Sequence, residues 1–523
     1  MSDTTRTNLG VLARRPTFWA GLAALTALGY ARAMASPAVG IDDLAIATYQ
    51  QGGGFLRQSR ITEWLVQALT GLLSYQAFWP EFWAAVCLAL AGALLAAVLY
   101  TAAGRRPVTG GALLLAGGLL LYPFHAEAMA YSNLCLTGLG VLLAVWALAL
   151  GEAFLMDWRD FSGALGAVAC LVFSLGCYES MAQVWLTLLM VRLLTPAVFA
   201  SRRSRPTGWW LGPLLRGVLL FAAGLAGREM LAILLRLLLG VTGADGAAAR
   251  TIYWTERGGL LPALQIFVRE FLGCYGTLAL AVPAIALLDL ACLTLIVFTA
   301  VRRWGNGCGW LAAGLILAQF AMGILQGTGS QMARASQCFA VFVPYVVWLL
   351  LETLPRRRLI AALAVVLLGA EAVSLNMTFE ADRARWQYER TLLQGIGEQL
   401  DVLDPSGELP VVFVGEISLP DTASYRLPAG HPAYKAAWVL SVTLGAPMGD
   451  LYPYEEVNES VINWAQSAFG SHEQMYLLMD QAGRPCARPS EEQQTEGEAL
   501  ADGNEAVTLQ DGYLLVSLDR AGV

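Results

Sequence analysis

Two adjacent aspartates, Asp42 and Asp43, stand in the stretch IDDL just beyond the first long apolar run. Neighbouring carboxylates repel, which raises the pKa of one of them and makes a general base that works near neutral pH. The same oxygens suit a divalent cation, or a solvated loop start or helix cap. Further on, LYPFHAEAMAYSN sets His125 two residues before Glu127. That is an acid or ligand pair with no third ligand in reach by sequence. CYES sets Tyr178 and Glu179 in a turn so short that the carboxylate lies at membrane depth. An ionised group there costs a few kcal/mol unless it is paired or faces a cavity.

Cations supply the complement. Arg60 lies in the same long loop as the aspartates, and Arg228 falls near the middle of the apolar run 211–240. Arg228 needs a buried partner or water. Glu229 sits about 100° away on a helix, so the expected partner is another helix or a lipid phosphate. Arg250 and Arg257 flank Tyr253 and Trp254 in GADGAAARTIYWTERGG, and Arg334 is the lone cation of QGTGSQMARASQ. A guanidinium matches phosphate oxygens with paired hydrogen bonds, and Tyr and Trp stack on sugars or rest among headgroups. Each of these residues also suits an interfacial anchor.

These residues sit between apolar segments. The 523 residues are 57% hydrophobic and 14% charged, with a mean hydropathy of +0.55. Soluble domains carry about 25% charged residues, so the composition is that of a polytopic membrane protein. A span needs about 20 apolar residues. About eleven such runs are found, near 17–36, 80–100, 108–124, 133–155, 162–178, 181–199, 211–240, 277–301, 308–327, 337–354 and 359–377. The shorter stretch 61–73 reads as an interfacial helix, with Glu63 and Gln67 on one face. Alternate loops hold 14 Arg, the intervening ones far fewer. The positive-inside rule then puts the N-terminus in the cytoplasm and the C-terminal tail outside.

Charge divides the chain in two. Residues 1–378 hold 25 Arg against 17 acids, and residues 379–523 hold 8 basic residues against 23 acids. The first part reads as the membrane domain and the second as an acidic soluble α/β module. Within the tail, a helix is expected near 380–403, strands at 409–416 and 513–518, and a mobile acidic loop at 484–506. An acidic tail repels phosphates, which argues against nucleic acid as a partner. No Walker sequence, HExxH or paired CxxC is present, which argues against an ATPase or a zinc hydrolase. No internal repeat supports an inverted-repeat transporter.

Several pieces resemble the serotype-converting O-antigen glucosyltransferases (the type II group), membrane glycosyltransferases of the GT-C architecture. IDDLAIA at 41–47 looks like that family's first-loop double aspartate. QSRITEWLVQALTG at 58–71 is similar to its juxtamembrane helix, and YPFHAEAMAYSNL at 122–134 to its Pro-Phe loop. SLGCYESMAQVWL at 174–186 resembles its Tyr-Gln-Ala-Ser turn, and FEADRARWQYERTLLQGIGEQL at 379–400 its post-membrane helix. Ser59 stands where the family favours Gly, and Glu179 where it favours Gln.

The resemblance implies a mainly α, GT-C-like bundle of about eleven spans in a bacterial inner membrane. It implies a polyprenyl-phosphate sugar as donor, glucose first among candidates, and a lipid-linked or surface glycan such as O-antigen as acceptor. Asp42 or Asp43 would act as base. Arg60, His125, Glu127, Tyr178, Glu179, Arg228, Arg250, Arg257 and Arg334 would surround the substrate and the donor phosphate. No cofactor is expected, a divalent cation being optional; membrane lipids are the other partners. The rival readings are a flippase for lipid-linked sugars and a non-catalytic assembly protein.

Overall fold

The computed structural model describes residues 1–35, 53–70, 78–129, 134–199, 208–243, 307–319, 336–353, 357–409, 411–414, 507–510 and 512–517, with isolated positions 261, 296 and 321. The chain is mostly helical: α1 (Asp3–Ala13), α2 (Pro16–Ala35), α3 (Gly54–Arg57), α4 (Ile61–Thr70), α5 (Trp79–Ala102), α6 (Thr109–Leu121), α7 (His125–Met129), α8 (Thr137–Met156), α9 (Phe161–Leu175), α10 (Met181–Phe199), α11 (Leu211–Leu239), α12 (Cys308–Ala318), α13 (Phe339–Thr353) and α14 (Arg357–Leu403). Most of these helices are apolar on every side, as burial or lipid demands. Five segments are long and apolar enough to cross a membrane: α5, α8, α10, α11 and residues Ala361–Glu380 of α14. Helices α6, α9, α12 and α13 fall on expected spans but are shorter. The expected span 277–301 lies almost wholly outside the described residues.

Helix α5 is central and packs on α6, α8, α1, α2 and α10. Two glycines allow this. A Cβ on Gly92 would come within 2.6 Å of the Ala116 Cα in α6, and one on Gly138 within 2.7 Å of the Ala84 carbonyl. Small residues let helix backbones touch where lipid gives no hydrophobic drive for association.

A polar network closes the end that carries α1. Arg192 of α10 bonds Glu152 of α8 at 2.9 Å, and both are buried. The other Glu152 oxygen accepts the hydroxyls of Thr5 at 2.6 Å and Ser2 at 2.7 Å. Asn8 donates to the Thr101 hydroxyl at 2.9 Å. Arg105 pairs with Glu352 at 2.5 Å, and Tyr100 donates to the same carboxylate at 2.9 Å. Helix α1 is thereby clamped across the ends of α5 and α8.

Helix α14 is continuous for 47 residues. The expected last span and the expected tail helix are one element, running unbroken through positions 378 and 379. Its outer part is tied to α2: Asn376 donates to the Leu28 carbonyl at 2.8 Å, and Arg32 pairs with Glu380. Asp404 ends the helix by accepting from the Gly407 and Leu409 amides at 3.1 and 3.0 Å. Beyond it lie β1 (Val411–Val414), β2 (Val507–Gln510) and β3 (Tyr513–Ser517) in the order β1-β3-β2. β1 runs parallel to β3 and β2 antiparallel. Two of these strands fall on the expected ones; β2 was not anticipated. The expected loop 484–506 lies outside the described residues.

Candidate functional site

The site is built on residues 53–70, at the end of the bundle away from α1. Gly53, at φ +71°, starts α3. Ser59 closes it at φ +59°, a left-handed conformation that favours glycine. Here the serine is retained by a bond: its Oγ donates to Glu229 Oε2 at 2.7 Å.

Helix α4 then docks on α9. The Thr62 hydroxyl donates to the Phe173 carbonyl at 2.6 Å and its amide to the Gly176 carbonyl at 3.1 Å. The stretch expected as an interfacial helix does form a helix, and the face that carries Glu63 and Gln67 turns away from solvent. Glu63 and Gln67 are buried, while Leu69 is 75% exposed. The polar face turns inward because Arg60 and the last turn of α9 offer partners that lipid cannot.

Arg60 is the hub. Its Nη2 and Nε reach Glu179 at 3.3 and 3.4 Å. Its Nη1 stands 3.6 Å from Glu63, and its guanidinium lies 4.7 Å from the Tyr178 ring centre. Burial alone would lower the Arg60 pKa, but Glu179, Glu63 and Tyr178 outweigh it and hold it above the ordinary value. Burial would raise Glu179, yet Arg60 and then Arg228 hold its carboxyl below the ordinary range. Both groups are therefore ionised at neutral pH.

Arg228 completes the cluster and meets in part the expectation of a partner on another helix. It pairs with Glu229, its own neighbour, its Nε donating at 3.0 Å. A guanidinium on four rotatable bonds spans the 100° that separates adjacent helical residues. Its Nη1 also donates to the Leu175 carbonyl at the end of α9, at 3.3 Å. The structure thus joins Ser59, Arg60, Glu63, Tyr178, Glu179, Arg228 and Glu229. Ser59 and Glu229 entered the sequence reading only in passing, because neither spacing nor composition shows that α3 and α11 meet.

His125 stands apart from this cluster. It is buried, and its Nε2 lies 2.8 Å from the Leu119 carbonyl near the end of α6. Burial pushes its pKa down to about 4, although the Leu119 carbonyl opposes the shift. The neutral ring therefore donates to that carbonyl. Glu127 lies in α7, but its side chain, together with Asp42, Asp43, Arg250, Arg257 and Arg334, falls outside the described residues. Among the described residues no group of three His, Cys, Asp or Glu could hold a metal ion.

A prediction follows for acid stability. A histidine whose folded pKa lies below the unfolded value near 6.5 takes up a proton on unfolding. Its contribution is intact above pH ~6.5 and is lost as the pH falls towards ~4. The loss amounts to about 3 kcal/mol. His125→Gln should lower stability at pH 7.5 and flatten the decline between pH 6.5 and 4. Thermal unfolding in detergent across that range measures it, and an unchanged slope would remove His125 as its cause.

The family model for glucosyl transferase GtrII matches residues 33–351. This chain belongs to that family. Comparisons with curated proteins and with solved structures return no match. The GtrII match spans both aspartates and every other residue expected at the site; α1 and all of α14 lie outside it. Family membership makes the chain a glucosyltransferase that acts on O-antigen.

Proposed function

We propose that this GtrII protein transfers glucose from a polyprenyl-phosphate carrier to an O-antigen glycan at the extracytoplasmic face of the bacterial inner membrane. Membership of the family is the observation that carries this reading. The carrier and the face rest on the apolar helices, the absence of a nucleotide motif and the Arg asymmetry of the loops.

In this mechanism Asp42 or Asp43 takes the proton of the acceptor hydroxyl. The hydroxyl oxygen bonds to glucose C1 as the bond from C1 to the phosphate oxygen breaks, and polyprenyl phosphate leaves. Arg250, Arg257 and Arg334 hold the departing phosphate. Arg60 and Arg228 join them, each turning a guanidinium donor from its carboxylate partner towards the phosphate.

The test follows release of polyprenyl phosphate from polyprenyl-phosphate glucose, by the purified protein in lipid with O-antigen acceptor. Acceptor-dependent release is expected, with a fall of about a thousandfold or more in Asp42→Asn/Asp43→Asn. Full activity in that variant would end the role of both aspartates. No release from folded native protein would end the donor assignment.

A further inference from the structure

Three buried side chains, on α10, in the turn before it and just ahead of α13, lack the hydrogen bonds that burial demands. Gln337, Thr187 and Ser180 are 1%, 0% and 2% exposed. Both amide atoms of Gln337 and the hydroxyls of Thr187 and Ser180 find no hydrogen-bond partner among the described residues. Leaving one such group unpaired costs about 1–3 kcal/mol. Several together in one place call for a reason.

They share that place. Ser180, Gln183 and Thr187 recur at i, i+3 and i+7, on one face of α10 and the turn before it. Gln183 meets the start of α13, its Oε1 lying 3.7 Å from the Sγ of Cys338, the residue after Gln337. The same sulfur lies 3.7 Å from the carbonyl of Gln319, just past α12. The three helices therefore converge on amide and hydroxyl groups, with no charged side chain among these residues. Ser180 directly follows Glu179, and Gln337 comes three residues after Arg334. At Ser180 the neutral face of α10 thus meets the ionic cluster.

We infer that Gln337, Thr187 and Ser180 form the subsite that reads the hydroxyls of the transferred hexose. The inference rests on the proposed function. A sugar ring offers donors and acceptors without charge, which matches one amide and two hydroxyls. A carboxylate or phosphate would call for cations here. Sites that pair a substrate hydroxyl reject analogues lacking or misplacing it, because their own polar groups are then left unpaired.

The test uses the full-length protein in lipid nanodiscs with polyprenyl-phosphate glucose and its galactose and mannose counterparts. The variants are Thr187→Val, Ser180→Ala and Gln337→Leu, the first nearly isosteric. Each should raise the donor KM or lower kcat/KM for glucose by about tenfold and narrow the preference for glucose over the epimers. The ligand-free variants should unfold at the same temperature or higher, since each loses a polar group that the fold leaves unpaired. Groups with a purely structural role would instead lower it. Native protein that transfers glucose, with variants unchanged in donor KM and epimer preference, overturns the inference alone. A change confined to acceptor KM also overturns it. Native protein inactive with every polyprenyl sugar overturns the proposed function and this inference together.

Discussion

Replacing Arg60 with Met lowers glucosyl transfer by about a hundredfold or more and also lowers the unfolding temperature. The guanidinium serves two carboxylates, at 3.3 Å in Glu179 and 3.6 Å in Glu63. Glu63 is fully buried, so removing the cation leaves negative charge in a site that water does not reach. Breaking such a pair costs about 3–5 kcal/mol. Arg60→Lys restores the charge but not the planar fork that meets both Glu179 oxygens, and recovers stability better than activity. A second substitution separates the two effects. Arg60→Met/Glu179→Gln removes one of the stranded charges and regains stability. Its transfer rate stays low if Arg60 meets the donor phosphate. Transfer that recovers in step with stability would reduce Arg60 to a brace between α4 and the turn before α10. Initial rates and unfolding curves on the same preparations decide between these outcomes.

The second large effect lies at the opposite end of the bundle. Arg192→Met should destabilise the protein by about 3–5 kcal/mol, enough to cut the yield of folded protein several-fold. Glu152 would keep its bonds from Ser2 and Thr5 but lose its one cationic partner among the described residues, Arg192 at 2.9 Å. The double change Glu152→Leu/Arg192→Met should recover much of this, because an apolar pair of similar volume removes both desolvation penalties. It would still free α1 from α8, since Ser2 and Thr5 lose their acceptor. Protease accessibility of residues 1–13 should then rise while the unfolding temperature recovers. An Arg192→Met protein as stable as the native one would refute the account of this network.

The helices were legible where apolar runs are long and flanked by Arg, as in α5, α8, α10 and α11. Span ends were less so. The run expected at 108–124 gives the helix Thr109–Leu121, since apolarity continues into a turn that hydropathy alone cannot separate, while most of the run expected at 308–327 beyond Cys308–Ala318 lies outside the described residues. Of the site, the type of Arg60, Tyr178, Glu179 and Arg228 was informative, because ionisable groups among apolar residues announce themselves. Their partners were not. Arg192 and Glu152 were within view as charges in spans, yet nothing in one sequence states that residues 40 positions apart share a depth. The neutral group of Gln337, Thr187 and Ser180 carried no signal, since such residues are ordinary in membrane helices and only unpaired burial distinguishes them.

The uninterrupted run of α14 fixes more than connectivity. From Ala381 to Leu403 the helix continues past the apolar segment, a rise of about 35 Å at 1.5 Å per residue. Over that distance the backbone works as a shaft with a thread. Each residue added or removed changes the height of the sheet by about 1.5 Å and swings it through about 100°. Loss of seven residues lowers it by about 10 Å yet returns it to within about 20° of its old bearing. Loss of two hardly lowers it but turns it to face almost the other way. Elevation and bearing of the tail are thus tuned by the residue count of one helix, and insertions there fall into tolerated and disruptive lengths by helical phase.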